Sequence, residues 1–269
     1  MIHLKYKSRF PHAYRHENLL IKTGFPLDPQ HLGEITAFAQ TPLPGKTRKS
    51  TYISKSRTHF LKLSKIKSLS KQMRISLGMA KSFDYYLKEL ENNIRLADFP
   101  VPAPRLVGYF LYTRMGMTRR AGLIFENMVG QENAANYVKS NPEKKASIIE
   151  GGLRVLSSLH CCSIFHMDPR LENLMVDATA PHQLSIIDFE HCYFGEPANV
   201  MAITGMVYGM FYRSGVEAHI SEAEYDALVY SILDPSAREN PDFNEAYRTA
   251  KRRFMERTEC KRMFISGKR

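Results

Sequence analysis

The stretch "FHMDPRLENLMV", residues 165–176, restricts most strongly what this chain can become. Apolar residues bound it on both sides, yet His166, Asp168, Arg170 and Asn173 lie inside it. A plain core strand needs none of these groups, because burying them without partners is costly. A second apolar run, "LSIIDFEH", reads as a strand ending at another carboxylate, Asp188. Loops between strands can hold such side chains in one place while the strands fix the backbone. Phosphoryl transfer asks a protein for this set: a carboxylate for the nucleophile's proton, hard oxygen ligands for magnesium, and cations on the phosphates. Asp168, Asn173, Asp188 and Arg170 supply most of it.

The surrounding patterns suggest two regions. "STYISKS" and "THFLKLS" alternate apolar and polar residues around a connection at Ser56-Arg57, which predicts a β-hairpin. "SFDYYLKELENNIRLA" spaces Phe83, Leu87, Leu90, Ile94 and Ala97 as one apolar helix face. Prolines 100, 102 and 104 then break the helix, and "LVGYFLYT" and "AGLIFENMVG" read as strands. After Gly130 the pattern turns helical, with Asn141 as the expected cap of a helix opening at Pro142. "ENLMVD" is a further short strand. Everything past Pro197 reads as helix, with loops at "SGVEAHIS" and "DPSARENPDF". The expected fold is therefore α+β: a β-rich N-terminal lobe with one helix over 1–128 and an α-rich lobe over 129–269.

Charge narrows the partners. The formal net charge is +11, and no acidic residue occurs between Glu34 and Asp84, a stretch rich in Lys and Arg; residues 247–269 form a second basic block. Such surfaces attract phosphate-rich or otherwise anionic partners. The absence of tryptophan and of aromatic residues interleaved with the basic ones argues against nucleic acid. Cys161, Cys162, Cys192 and Cys260 form no CxxC pair, so neither a disulfide framework nor a zinc site is expected, and a reducing cytoplasm fits. The longest apolar run, "VMAITGMVYGMFY", is too short to span a membrane and reads as a buried helix.

"HMDPRLEN" followed by "DFE" resembles the catalytic and metal-binding segments of the protein-kinase-like superfamily, in which asparagine follows the catalytic aspartate at the same spacing. The resemblance implies a bilobal fold, ATP and Mg2+ as cofactors, Asp168 as catalytic base, Asn173 and Asp188 as metal ligands, and Arg170 on the transferred phosphate. Such a fold also needs a strand lysine paired with a helix glutamate. Lys62 in "HFLKL" and Glu89 in "LKELENN" fill those places, with Lys65 and Glu91 as the alternatives. Glu126 and Met128 fall where backbone groups would meet the adenine. His166 is expected to pack and hydrogen-bond rather than titrate in the mechanism. The sequence departs from the protein-kinase pattern at Met167, at Glu190, and in a nucleotide-covering loop whose only glycine is Gly45.

Within the superfamily, "KTRKSTYISKSRTHFLKLS" and "KELENNIRLADFPVPAP" are similar to the N-terminal lobe of the bacterial lipopolysaccharide kinase family, over roughly residues 45–195. The implied reaction is phosphorylation of a heptose or Kdo hydroxyl in the inner core of lipopolysaccharide. The implied partner is an anionic saccharide or lipopolysaccharide, met in the cytoplasm with peripheral contact at the inner membrane. "DFEHCYFGEP" also looks like aminoglycoside and choline phosphotransferases, and "DPRLENLMV" like protein-serine kinases. The short distance from Asp188 to Pro197 leaves little room for a regulated activation segment, which disfavours a protein kinase.

Overall fold

The computed structural model describes residues 8–43, 48–53, 58–77 and 85–267. The chain divides into two compact units, Met1–Asp98 with Pro104–Val129, and Phe99–Ala103 with Gly130–Arg269. The first holds an antiparallel sheet of β1 (His12–His16), β2 (Leu19–Thr23), β3 (Arg48–Ile53), β4 (His59–Lys65), β5 (Leu106–Arg114) and β6 (Met117–Glu126). Their order in the sheet is β1-β2-β5-β6-β4-β3. The expected hairpin is β3–β4, with Arg48 opposite Ser64 and Ile53 opposite His59. Its connection at Ser56-Arg57 and the Gly45 loop lie outside the described residues.

Among the described residues three helices accompany this sheet: α1 (Pro29–Gln40), α2 (Leu69–Ser76) and α3 (Tyr85–Leu96), of which the sequence patterns predict only α3. Topology explains α1. β2 and β3 sit far apart in the sheet, so the chain between them must cross one face, and α1 makes that crossing. Asp28 caps it by accepting from His31 N–H at 2.7 Å, and Pro29 occupies its first turn. The pleat then divides the apolar residues. Leu61 and Leu63 of β4 join Ile35, Phe38 and Ala39 of α1 in one core. On the other face Leu90 and Ile94 of α3 meet Tyr109, Leu123 and Phe125. Of the face expected on α3, Phe83 and the Leu87 side chain lie outside the described residues, and Ala97 falls beyond the helix end and is exposed.

The second unit contains α4 (Ala134–Ser140), α5 (Lys145–Cys161), α6 (Val200–Arg213), α7 (Glu222–Ile232), α8 (Pro235–Glu239), α9 (Pro241–Arg252) and α10 (Arg257–Ser266). Its strands β7 (Gln131–Asn133), β9 (Leu174–Asp177) and β10 (Leu184–Ile186) form one sheet, and β8 (Ile164–His166) pairs with β11 (Cys192–Phe194). Three local expectations need correction. Asn141 does not cap α5: its Nδ2 donates to Tyr137 O at 2.9 Å, and Pro142 opens a single 3-10 turn ahead of the helix. The strand before Asp188 stops at Ile186. The two expected late loops are partly helical, with a 3-10 turn at Val216–Ala218 and α8 at Pro235–Glu239.

The "VMAITGMVYGMFY" helix is α6, buried along most of its length. Two glycines bring α9 against it. A Cβ at Gly205 would lie 2.3 Å from Phe243 O, and one at Gly209 would lie 2.5 Å from Tyr247 O, so only glycine admits α9 at this distance. Lys251 of α9 is buried, 2.6 Å from both Glu222 and Asp226 of α7 and 4.5 Å above the Tyr247 ring. Part of the basic C-terminal block is thus interior structure. Among the described residues no helix is long and apolar enough to cross a membrane, and the four cysteines are free thiols.

Candidate active site

In the second unit, a 3-10 turn at Leu171–Asn173 carries Asn173 inward, where it is buried. Its Nδ2 donates to Asp168 O at 2.9 Å, which closes the loop on itself. The amide's remaining polar atom, Oδ1, is an acceptor suited to a hard cation. Ile187 N–H donates to Asn173 O at 2.8 Å and so fixes the neighbouring Asp188 relative to this loop. Asp188 adopts φ 67° and ψ 57°, a left-handed conformation that aspartate tolerates better than most side chains.

His166 is fully buried and joins the two segments. Its Nδ1 accepts from Asp168 N–H at 3.3 Å, which leaves Nε2 as the protonated nitrogen facing Ile187 O at 3.2 Å. Burial holds the imidazole below its ordinary pKa, so the neutral tautomer is the one this geometry uses. The expectation that His166 packs and hydrogen-bonds describes it well. Arg170 Nε donates to Asp168 Oδ1 at 2.6 Å. That bond raises the guanidinium pKa further, against the opposing effect of burial.

In the first unit, period-two alternation turns Lys62 away from Leu61 and Leu63 and toward α3. Its Nζ lies 2.6 Å from Glu89 Oε1, and Glu89 is buried. The amide of Asn93, one turn on, donates to Glu89 O at 2.8 Å and steadies that turn. Lys65 is exposed at the end of β4, and Glu91 is only partly buried. At the end of β6, Glu126 N–H donates to Arg105 O at 2.9 Å and Asn127 N–H to Thr58 O at 2.9 Å. The Arg105 guanidinium also pairs with the Glu126 carboxylate, and its hydrogen bond lowers that carboxyl's pKa. Met128 follows, partly buried. Sequence reasoning misses Arg105, because no local pattern ties it to a residue so distant in the chain.

The sheet-bearing unit thus carries a lysine–glutamate pair, and the helical unit a looped aspartate–asparagine pair with a second aspartate, within a protein-kinase-like fold. Residues 45–229 match the lipopolysaccharide kinase (Kdo/WaaP) family, and the chain belongs to that family. It is accordingly a kinase of lipopolysaccharide core sugars. The fold is similar to that of WaaP solved in complex with acyl carrier protein, with a TM-score of 0.51 and 12% identity over 78% of this chain and 86% of that one. The bifunctional kinase-methyltransferase WbdD gives a TM-score of 0.49 and 16% identity over 92% of this chain and 52% of that one. No curated protein sequence matches.

Proposed function

We propose that this chain transfers the γ-phosphoryl group of ATP to a hydroxyl of a heptose or Kdo sugar in the lipopolysaccharide inner core. Asp168 takes the hydroxyl proton while the new oxygen–phosphorus bond forms. The bond from the γ-phosphorus to its bridging oxygen breaks, and ADP leaves with the electron pair. Residues 1–128 carry the nucleotide contacts: Lys62, held by Glu89, on the phosphates, and the backbone of Glu126 and Met128 on the adenine. Residues 129–269 carry the transfer chemistry, with Arg170 offsetting charge at the reacting phosphate. Asn173 Oδ1 and the Asp188 carboxylate would hold magnesium, which when bound shields the phosphate charges. The bond from Asn173 to Asp168 O carries this reading, because it fixes a proton acceptor and a cation ligand on one short loop. The test is incubation with γ-labelled ATP and separate pools of core lipopolysaccharide, aminoglycosides and whole protein. Label is expected in the lipopolysaccharide pool and absent with Asp168→Asn; label confined to another pool would refute the acceptor.

We also propose that the protein works in the cytoplasm, at the inner membrane surface, and that α2 makes the contact. Ile75 and Gln72 bury its inner edge, and Ser76 Oγ accepts from Thr118 N–H at 2.7 Å, so the helix cannot roll. Leu69, Met73 and Leu77, the last 66% exposed, then form an outward apolar stripe. Lys67, Lys71 and Arg74 flank it, within the acid-free stretch. An apolar stripe bordered by cations suits an anionic bilayer. The protein is expected to sediment with phosphatidylglycerol vesicles and not with phosphatidylcholine ones, and Leu69→Ser with Met73→Ser should abolish this. Failure of the unaltered protein to sediment would exclude the contact.

A further inference from the structure

The second unit has an open recess with Asp168 on its wall. Four guanidinium groups line it, and they come from four separate places: Arg170 on the catalytic loop, Arg213 at the end of α6, Arg253 just after α9, and Arg257 opening α10. Among the described lining residues Asp168 is the sole carboxylate. An adjoining hollow shares Arg170, Arg213, Ser214 and Phe254 and adds Glu172.

Two of these arginines are braced from outside the recess. Arg253 Nη1 donates to Glu259 Oε2 at 2.9 Å, with Nη2 on the other oxygen, and Arg213 pairs with Glu217 one turn further on. A guanidinium carries five donors in a rigid plane, so a carboxylate on one edge orients the group and leaves further N–H donors for a ligand. Phe254, between Arg253 and Arg257 in sequence, lines the same recess, and at 73% exposure it is among the most exposed large apolar residues described. Its place at the rim suits the apolar C–H face of a sugar ring. Buried Met167, Met210 and Met255 form the floor. A cationic wall, an aromatic rim and a carboxylate that can accept a hydroxyl proton are the parts needed to hold a charged saccharide.

We infer that this recess is the acceptor's anion subsite: Arg213, Arg253 and Arg257 hold a phosphate or carboxylate carried by the sugar, Phe254 covers the ring, and the neighbouring hydroxyl lies at Asp168. The inference rests on Asp168 being the base of the proposed reaction. Arg253, Phe254 and Arg257 lie in the C-terminal segment, beyond residues 45–229, the span that matches the family, and on this reading that segment sets acceptor choice. α9 delivers that segment by packing on Gly205 and Gly209, and Lys251 secures it two residues before Arg253.

The test uses the full-length protein with three acceptors: a neutral heptose, a heptose phosphate and a 2-keto sugar acid. Arg257→Gln and Phe254→Ala alter exposed side chains; Arg253→Gln is the third variant. Each arginine change is expected to raise the acceptor KM about ten-fold for the charged sugars, the effect of one lost charge-assisted hydrogen bond. The KM for ATP and the KM for the neutral sugar should stay put. Whichever charged sugar shows the larger change identifies the anion as phosphate or carboxylate. Phe254→Ala should raise the KM of all three sugars alike; equal effects of the arginine changes on the neutral sugar, a shift in the ATP KM alone, or no change in any acceptor KM would overturn the subsite. Phosphorylation of all three sugars by Asp168→Asn at the unaltered rate would instead overturn the base assignment, so the two failures are separable.

Discussion

Asn173 donates its side-chain N–H to the backbone carbonyl of Asp168 at 2.9 Å, and Ile187 donates to the carbonyl of Asn173 at 2.8 Å. The side-chain amide of Asn173 therefore fixes the loop that bears the proposed base, and its backbone carbonyl ties that loop to Ile187, next to Asp188.

Asn173→Asp keeps an oxygen for a cation but turns a second acceptor toward the Asp168 carbonyl. Turnover is expected to fall by about two orders of magnitude or more, an effect of the size seen when a reacting geometry is displaced by about an ångström. The magnesium concentration needed for half-maximal activity should rise. A magnesium titration in which activity falls but that midpoint does not move would remove Asn173 from the cation site.

Lys62→Met removes the cation that lies 2.6 Å from the buried Glu89 carboxylate, and a loss of about 3 kcal/mol of stability is expected. Replacing both partners, Lys62→Met with Glu89→Leu, should restore much of that stability while leaving the protein inactive. Urea titrations of the two single variants and the double variant give the coupling directly. Additive losses would show that the pair at 2.6 Å does not interact in solution.

Both ring nitrogens of His160 are buried without a hydrogen-bond partner among the described residues, in a ring stacked on Phe165 at 4.7 Å and Tyr208 at 5.6 Å. Burial pushes its pKa down from 6.5 to about 3. The unfolded chain binds a proton that the folded chain refuses. Stability is thus complete above about pH 6.5 and is lost as the pH falls toward 3, by up to about 1.4 kcal/mol per pH unit. His166, shifted the same way, adds to this slope. His160→Phe should lose less stability than the unaltered protein between pH 7 and pH 5 in denaturant titrations, and an identical loss would discount His160.

Gly205→Ala drives a methyl group to 2.3 Å from Phe243 O, so α9 must retreat from α6. A loss of roughly 1–3 kcal/mol is expected, as for other overpacked sites. Gly33→Ala on α1, where a Cβ meets nothing within 4 Å, should instead stabilise by roughly 0.5–1 kcal/mol through helix propensity. Melting temperatures that shift in the same direction for both variants would contradict a tight α6–α9 contact at Gly205.

Local residue patterns announce much of the candidate site. "HMDPRLEN" and "DFE" mark the loop and the second aspartate because the chemistry demands fixed residue types at short, fixed spacings. "HFLKL" points to Lys62 because a strand's period of two leaves one polar residue conspicuous among apolar ones. The preference for Glu89 over Glu91 follows from helix geometry. The reading passes over the strands β1 and β2 and the helix α1, although Leu32, Ile35, Phe38 and Ala39 keep helical spacing after Asp28-Pro29; that α1 crosses the sheet follows only from where β3 pairs.

The sequence by itself determined the fold class, the hairpin, the buried α6 and the residues proposed for phosphate transfer, because each depends on neighbours a few positions apart. Only the tertiary structure decided that Lys251 is interior, that Arg105 holds Glu126, and that Arg213, Arg253 and Arg257 line one recess with Asp168. Those relationships join residues far apart in the chain. The places of Lys251, Arg253 and Arg257 depend on how closely α9 can approach α6, a distance set by two missing side chains that no local pattern of charge or hydrophobicity records.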